Sequence, residues 1–561
     1  MARGKVFRTV GQARIKRSVI DLSYEYKTTC NIGDLIPVFY KECIPGDYFN
    51  IGQEIIIRFQ PLAAPIYHEL NVYLHLYFVP HRLLWKNWEK FITKGRDGDF
   101  EASIPTFSFG SVGNKYSKEA GTRKGGLHDY LGYPVFDITA SSVNYPNHYR
   151  PDCFRQRSYN LIWFEYYRDQ NLTREHLKDT GTPDYELINS ISDDENFHST
   201  VDVPHGSFIR TRCWEKDYFT SALPFAQRGT APAIPVRGTA RTEFSVDSLG
   251  PVTDEFYAPP MFSRTTNSTQ VFWPEADSSN RNTLKENFRL FLSRNNVVTS
   301  DLVALNVNEL RYTFAVQRWL ERNARSGARY IENLKAHYGV SPRDDRLQRP
   351  EYIGGIKQPV VISEVLQTSA TETDSPQGSF TGHGISVNSG RTSNYHVTEH
   401  GTIMGILSVL PRTVYQQGID REEKRNSVYD FFFPEFQNLG EQEIRLKELF
   451  LSEQGLLLPE IDVDSDHAPN RIFGFQERYA EYRHSKSRVT GELRDVLNYW
   501  HMGRIFSNPP RLNSTFVECE QGRLDRNFLV KNYHQLIVQV GNMVRAVRPM
   551  PIQSIPGLID H

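Results

Sequence analysis

The segment from residue 70 to residue 79 constrains the fold of this chain most strongly. Apolar residues alternate there with polar or aromatic ones: Leu70, Val72, Leu74, Leu76 and Phe78 against Asn71, Tyr73, His75 and Tyr77. A period of two over a segment of this length predicts a long β-strand with one buried face. Because proline cannot donate to a sheet ladder, Pro80 should end the strand, and the segment around Trp85 and Trp88 should leave the sheet.

A second long strand is predicted near the other end of the chain. Leu536, Val538, Val540, Val544 and Ala546 share one face, and Pro549 ends the segment. We therefore expect a sheet that draws on both ends of the sequence. A length of 561 residues would allow three or four domains. The long-range pairing of strands argues against a simple string of domains.

Composition and charge limit the possible partners. Hydrophobic residues make up 39% and charged residues 23% of the chain, which is ordinary for a globular protein with a sizeable core. The 65 Lys and Arg residues nearly balance 66 Asp and Glu residues, so no overall field attracts nucleic acid or an anionic membrane. Any contact with a polyanion should therefore be local. No apolar run is long enough to predict membrane insertion.

The cysteines indicate a reducing compartment. They are odd in number, widely separated and without a C-x-x-C pair: Cys30, Cys43, Cys153, Cys213 and Cys519. The N-terminal segment has no apolar core of signal-peptide length, so secretion is not expected.

Composition divides the chain into five segments. We predict a basic N-terminal arm at 1–20, the first strands with insertions at 21–228 and a surface insertion rich in Thr, Ser, Asn, Pro and Arg at 229–306. A helical insertion and the remaining strands follow at 307–548, and an extended tail occupies 549–561. Within the surface insertion, Val271, Phe272 and Trp273 form a hydrophobic group that indicates a compact excursion rather than a floppy linker.

Two basic features are candidates for nucleic-acid binding. The arm carries Arg3, Lys5, Arg8, Arg14, Lys16 and Arg17. It could lie on phosphates and displace their counterions, or remain a solvated, frayed terminus.

The second basic feature is the clearest predicted helix, over 309–338, with a possible break at Ser326 and Gly327. Its apolar side holds Val316, Trp319, Leu320, Ile331 and Leu334, and its opposite side holds Arg318, Arg322, Arg325 and Arg329. The arginine stripe could bind phosphates, meet carboxylates of a neighbouring subunit, or face solvent.

Other segments give weaker signals. Ser, Thr and Gly dominate 366–395, which predicts a loop before an apolar strand at 403–410. A short helix is predicted at 441–453. The aromatic residues of 152–178 are interpreted as packing rather than as a binding site.

No motif for catalysis, metal binding or cofactor binding emerges. There is no nucleotide-binding glycine loop, no nucleophile elbow and no H-E-x-x-H pair. His396 and His400 lie four residues apart, but no third ligand accompanies them, which favours a surface pair. We therefore predict a protein that is not an enzyme and that needs no metal or cofactor.

Several sequence blocks resemble the major capsid proteins of the gokushoviruses, single-stranded DNA phages of the microvirus family. The blocks occur in order along nearly the whole chain: 28–37 (TTCNIGDLIP), 78–85 (FVPHRLLW), 212–219 (RCWEKDYF), 346–352 (RLQRPEY), 363–368 (SEVLQT), 500–502 (WHM) and 548–551 (RPMP). The segment around 232–300 matches no pattern of the family. Phe225-Ala226 also departs from it, where related sequences tend to have Trp-Pro.

The resemblance implies a mainly β fold, an eight-stranded antiparallel jelly roll of the viral capsid type with long loop and helical insertions. It implies a T=1 icosahedral shell around circular single-stranded DNA, assembled in the host bacterial cytoplasm. The implied partners are further copies of the chain, the DNA genome, a small basic DNA-binding capsid protein and a host cell-surface receptor. In this family an insertion forms a protrusion at the threefold axes that is thought to meet the host, and 229–306 has the matching position.

One rival class stays open at this point. A jelly-roll glycan-binding protein or a glycosidase could share the same strand pattern. Formation of closed particles would favour the capsid class, whereas a stable monomer with sugar affinity would favour the rival.

Overall fold

The computed structural model describes the chain over fifteen ranges: residues 16–96, 98–106, 124–134, 151–173, 209–232, 241–242, 261–265, 268–272, 297–298, 307–326, 329–366, 380–457, 465–519, 524–531 and 533–553. Its strands are, in chain order, β1 (Ser18–Asp21), β2 (Tyr24–Cys30), β3 (Ile36–Cys43), β4 (Tyr48–Phe59), β5 (Leu70–Pro80), β6 (Arg241–Thr242), β7 (Met261–Thr265), β8 (Ser268–Phe272), β9 (Val297–Val298), β10 (Glu351–Pro359), β11 (Val361–Leu366), β12 (Phe380–His396), β13 (Gly401–Pro411), β14 (Glu441–Arg445), β15 (Ile472–Glu477) and β16 (Leu536–Arg548).

Most described helices are short and lie between strands; the exception in length is Val307–Ser326, with 20 residues. The α-helices are α1 (His81–Leu84), α2 (Trp88–Thr93), α3 (Leu127–Tyr130), α4 (Phe154–Ile162), α5 (Val307–Ser326), α6 (Tyr330–Tyr338), α7 (Glu453–Leu457) and α8 (Ser514–Val517). A π-helical turn, Trp163–Tyr167, continues α4. Single turns of 3₁₀-helix occur at Arg421–Lys424, Val428–Asp430, Pro434–Phe436, Leu446–Glu448, Ala480–Tyr482, Gly491–Arg494, Asn498–Trp500 and Asp525–Asn527. None of the described helices is both long and apolar enough to span a bilayer.

Two antiparallel sheets face each other and form a jelly roll. The first has the order β1-β16-β4-β12-β11, with β2 also paired to β16, and the second has the order β10-β5-β13-β3. Strands β1 and β2 act as two halves of one strand, because both pair with β16 and Leu22 N–H donates to Val544 O between them. Successive jelly-roll strands cross from one sheet to the other, except that β5 and β10 pair within the second sheet, which gives the strand order of a jelly roll. The predicted mainly β, antiparallel jelly-roll class is confirmed, and β11 lies at an edge of the first sheet.

Both ends of the chain meet in the first sheet. Leu536 pairs with Cys30 on one side and with Phe59 on the other, so β16 is a central strand. All five residues predicted to share one face of this strand are buried: Leu536, Val538, Val540, Val544 and Ala546. They pack against the inner residues of the second sheet and complete the core.

Strand β5 differs from its prediction in one respect. Its bounds and its end at Pro80 are confirmed, but both faces are buried rather than one. Leu74 and Leu76 enter the core between the sheets. On the other face, the ring of Tyr77 lies 4.7 Å from that of Tyr166, because the π-helical turn after α4 covers this side of the sheet.

Two other predictions are wrong. The loop at 366–395 is strand over residues 380–396, since β12 pairs with β4 along most of its length and this pairing satisfies the backbone of a polar segment. The helix at 441–453 is instead strand β14, a 3₁₀ turn and the start of α7. Pairing of Glu441–Arg445 with β15 overrides the local helix preference of the sequence.

The predicted helix over 309–338 is present as α5 and α6. Gly339 adopts φ +70° at its C-terminal end, and its N–H donates to Lys335 O. Trp319, assigned to the apolar side, is 54% exposed.

The long insertions build a second core. Residues between β5 and β10 supply Tyr218 and Phe219, and residues between β13 and β16 supply Ile444, Phe473 and Phe516. Because these groups come from two separate insertions, their packing holds both insertions together beside the jelly roll. By its backbone contacts the chain divides into one unit of residues 1–228 and 322–561 and a second unit of 229–321. The second unit contains the β7–β8 and β6–β9 ladders and the first part of α5.

Candidate assembly and nucleic-acid surfaces

The basic arm joins the jelly roll at the end of β16. Lys16 and Arg17 are exposed, and the next residue, Ser18, pairs with Arg548. Burial raises the pKa of the nearby Asp47, while Arg548 and Arg17 oppose that rise. Arg548 Nε lies 3.3 Å from Asp47 Oδ2. The C-terminal end of the arm is therefore held at the sheet edge. The other arm residues predicted to bind nucleic acid, Arg3, Lys5, Arg8 and Arg14, lie outside the described residues.

The four arginines of the predicted stripe have different surroundings. Arg318 and Arg322 are exposed on α5. Arg325 forms an ion pair with Glu441 and lies 4.0 Å from Glu477.

Arg329 caps two neighbouring segments of the same chain. Its guanidinium donates to Phe164 O at 3.1 Å and to Arg168 O at 3.2 Å, and it lies 3.3 Å from Glu332. Two of the four arginines thus have partners within the subunit, whereas nucleic-acid binding by the stripe stays a prediction.

A basic pocket of about 370 Å³ lies on the outer face of β5, and it was not predicted from the sequence. Four cations and two acids line it, with histidine and tyrosine rings among its walls: Arg168, Arg212, Lys216, Arg329, Asp169, Glu332, His75, Tyr77, Tyr166 and Tyr167. The acids form ion pairs with Lys216 at 2.6 Å and with Arg329 at 3.3 Å, which leaves an excess of positive charge.

The rings of this pocket are held in place. Tyr167 Oη lies 2.7 Å from His75 Nδ1, and the Arg212 guanidinium lies 4.0 Å above the ring of Tyr73. Burial, together with Arg212, lowers the pKa of His75 to about 4, so that the imidazole is neutral at pH 7. A pocket with excess cations and flat ring walls can accept a phosphate beside a base. Of the residues that line the pocket, only Arg329 was a candidate from the sequence. The others were missed because they come from four distant segments. The sequence block 212–219, which contains Arg212 and Lys216, was the only signal that pointed to them.

The predicted host-contact group falls in the second unit. Val271 and Phe272 lie in β8, where they pair with Phe262 and Met261 of β7. Trp273 lies outside the described residues. The structure therefore shows antiparallel strand pairing for the two described residues of this group.

An apolar surface that sequence reasoning missed lies in the insertion between β13 and β16. We call it the aromatic patch; its exposed members are Val428, Tyr429, Phe431, Phe432, Phe433, Leu439 and Tyr482. The sequence signal was present as three consecutive phenylalanines followed by Pro434. Such a run normally predicts burial, which is why exposure was not expected.

Within the described residues, no group of three or more His, Cys, Asp and Glu side chains could hold a metal ion. The five cysteines are free thiols. Burial raises the pKa of Cys153 and of Cys213 to about 12, so neither thiol is activated as a nucleophile.

Comparison with known proteins assigns the fold to a family. The family model described as capsid protein (F protein) matches residues 8–558. The chain belongs to this family. Capsid protein VP1 of Chlamydia phage 1 is 32% identical over 98% of this chain and 97% of its own. Capsid protein VP1 of Bdellovibrio phage phiMH2K is 29% identical over 98% and 97%, and that of Spiroplasma virus 4 is 28% identical over 97% and 96%.

Membership of the capsid family settles the class of function. The resemblance to gokushovirus capsid proteins is confirmed, and the chain is a structural protein of a phage capsid. The family implies self-assembly, a place in the virion and a non-enzymatic role.

Proposed function

We propose that this chain forms a T=1 icosahedral shell around a circular single-stranded DNA genome, assembled in the host bacterial cytoplasm. The observation that carries the proposal is the complete jelly roll closed by both ends of a chain that the capsid family matches almost throughout. A closed shell of identical subunits needs a rigid body with its edges covered. The paired termini and the second core supply that body. The free cysteines agree with assembly in a reducing compartment.

Expression of the chain followed by electron microscopy tests the shell. We expect closed isometric particles of uniform size. A stable monomer, in particular one with sugar affinity, would contradict the proposal and favour a glycan-binding protein.

DNA contact is proposed for the basic arm, with Arg318 and Arg322 as further candidates. The chain has a net charge of −1, so it cannot neutralise packaged DNA by itself. A small basic DNA-binding protein is therefore a proposed partner. Because contact is local, binding to single-stranded DNA should weaken steeply as salt rises.

Substitution in the arm tests this contact. Neutralising the arm with Gln at Arg3, Lys5, Arg8, Arg14, Lys16 and Arg17 should lower DNA affinity and flatten its salt dependence. Lys27→Gln, at an exposed lysine of β2 beside Glu25, is the control. Equal DNA binding by the arm variant and the wild type would refute the role of the arm.

Host attachment through a receptor is proposed for 229–306, including Val271, Phe272 and Trp273. Replacing 232–300 with a short Gly-Ser linker should leave the jelly roll intact, because none of its strands lies in that range. Particles of this variant should assemble but fail to adsorb to the host. Global misfolding, or unchanged adsorption, would contradict the assignment.

A further inference from the structure

The aromatic patch exposes more apolar area than the largest apolar patch of a typical monomeric protein. Its seven members are 38–67% exposed. With side-chain areas of about 150–250 Å², these fractions leave roughly 600–900 Å² of apolar surface in water. The largest apolar patch of a typical monomer is about 300–600 Å². A standard protein interface buries about 800 Å² on each partner, which the patch could supply.

The patch is held rigid by contacts from the same subunit. The Arg425 guanidinium lies 4.9 Å from the ring centroids of both Phe431 and Tyr482. Tyr479 Oη donates to Phe431 O at 3.0 Å, and Arg478 donates to Tyr429 O at 3.2 Å.

The turn that begins the patch is equally ordered. The carboxylate of Asp430 accepts from the backbone N–H groups of Ser427 at 2.8 Å and Asn426 at 2.9 Å, and these bonds hold its pKa below the usual range. An exposed aromatic surface that is already ordered loses little entropy when a partner covers it.

A concave site opens beside the exposed rings. It has a volume of about 360 Å³ and is lined in part by Phe432, Tyr479, Tyr482 and Arg483. Aromatic rings and arginines around a pocket are the residue types in which interface binding energy concentrates. A protruding side chain of a partner could fill this pocket.

Charge around the patch indicates what kind of partner fits. Charged side chains of both signs lie at the patch or its pocket: Arg325, Arg425, Arg478 and Arg483 with Asp430, Glu441 and Glu477. A rim of mixed sign favours an identical surface, which it can meet with opposite charges, over the uniformly negative phosphates of DNA.

We infer that the aromatic patch is a contact surface for a second copy of this chain in the shell. The inference rests on the proposed shell, in which every subunit is surrounded by copies of itself. The jelly roll supplies the rigid body of the subunit, and the patch supplies apolar area for joining subunits.

A matched pair of leucine substitutions tests the inference. Leu439 belongs to the patch, whereas Leu457 is an exposed leucine at the end of α7. Leu439→Asp, alone or with Phe432→Ser, should leave a folded subunit and reduce the yield of closed particles at least tenfold. Leu457→Asp should assemble like the wild type. Normal assembly of both patch variants, or equal loss from Leu457→Asp, would overturn the inference.

Photo-crosslinking identifies the partner directly. A benzoyl-phenylalanine placed at position 432 should, in assembled particles, give a product of twice the chain mass whose peptides all derive from this chain. A product with a different protein, or none in intact particles, would overturn the inference. Failure of the wild type to form any particle would instead count against the proposed shell, so the two failures are distinguishable.

Discussion

Strand β5 and the aromatic patch have similar composition but differ in burial. Both are rich in aromatic and aliphatic residues, yet β5 is buried on both faces while the patch is exposed. Strand β5 finds hydrogen-bond partners on both sides, in β10 and β13. The patch segment cannot join a ladder, because Pro434 lacks an N–H and Asp430 holds its backbone in a turn. Coverage by other segments, rather than hydrophobicity, decides which apolar segment is buried: the facing sheet covers one face of β5 and the π-helical turn covers the other.

A leucine-to-aspartate substitution should change the free energy of unfolding far more in β5 than in the patch, and this is the largest difference that we expect. Leu76→Asp places a charge in the core and should remove most of the roughly 5–15 kcal/mol that stabilises a typical fold. Leu439→Asp should change the free energy of unfolding by less than about 1 kcal/mol. Urea unfolding followed by tryptophan fluorescence measures both.

If Leu76→Asp yields no soluble protein, Leu76→Ala keeps the comparison measurable. It should cost about 2–5 kcal/mol through cavity formation. Similar decreases in the free energy of unfolding for substitutions at residues 76 and 439 would show that the patch is part of the core.

Two glycines with positive φ test how tightly the turn after β2 packs against the segment that follows α8. Gly33 has φ +93°, and a Cβ there would overlap the carbonyl oxygen of Cys519. Gly491 has φ +69° and open space around it. Gly33→Ala should cost more than about 3 kcal/mol, and Gly491→Ala about 1 kcal/mol, since only the first adds a clash to backbone strain. Equal shifts in thermal midpoint would contradict this account.

A buried histidine makes the jelly-roll side sensitive to acid. His81 stacks on Phe154 at 4.6 Å, and neither ring nitrogen has a hydrogen-bond partner within the described residues. Burial, assisted by His400, lowers its pKa from 6.5 to about 4. The unfolded state therefore binds the proton first, and stability present above pH 6.5 is lost as the pH falls towards 4.

His81→Phe should remove this loss. The variant should be more stable than the wild type by up to about 3 kcal/mol near pH 4, and the difference should shrink towards pH 7. Unfolding curves at several pH values provide the measurement. A constant difference across the range would argue against titration of His81.

The smallest effect is expected at the edge of the patch. Arg425→Met removes the cation between Phe431 and Tyr482 and should cost about 1 kcal/mol, as for a partly exposed cation–π contact. Assembly should be slower, because the rings lose part of their order. Light scattering during assembly, with Arg343→Met as control at an exposed arginine outside the patch, would show the difference. Unchanged kinetics would mean that Arg425 does not order the patch.

Parts of the fold were predictable because their signals are local. Alternation over 70–79 and along β16, with prolines after each, was sufficient to predict two long strands. The Ser, Thr and Gly composition of β12 was misleading, since the strand exists through its pairing with β4. The arginine stripe had a clear period, but the capping role of Arg329 depends on carbonyls of Phe164 and Arg168 that lie far away in sequence.

The sequence by itself determined that the chain is built on long strands drawn from both termini and that it resembles a capsid family. The two-residue period of the strands, the prolines that end them and the order of the family motifs can all be recognised without knowing any contact. Only the tertiary structure decided that β5 is buried on both faces, that two insertions share a core, and that the phenylalanines near residue 432 face solvent. Burial depends on which distant segments cover a face, and a one-dimensional pattern does not carry that information.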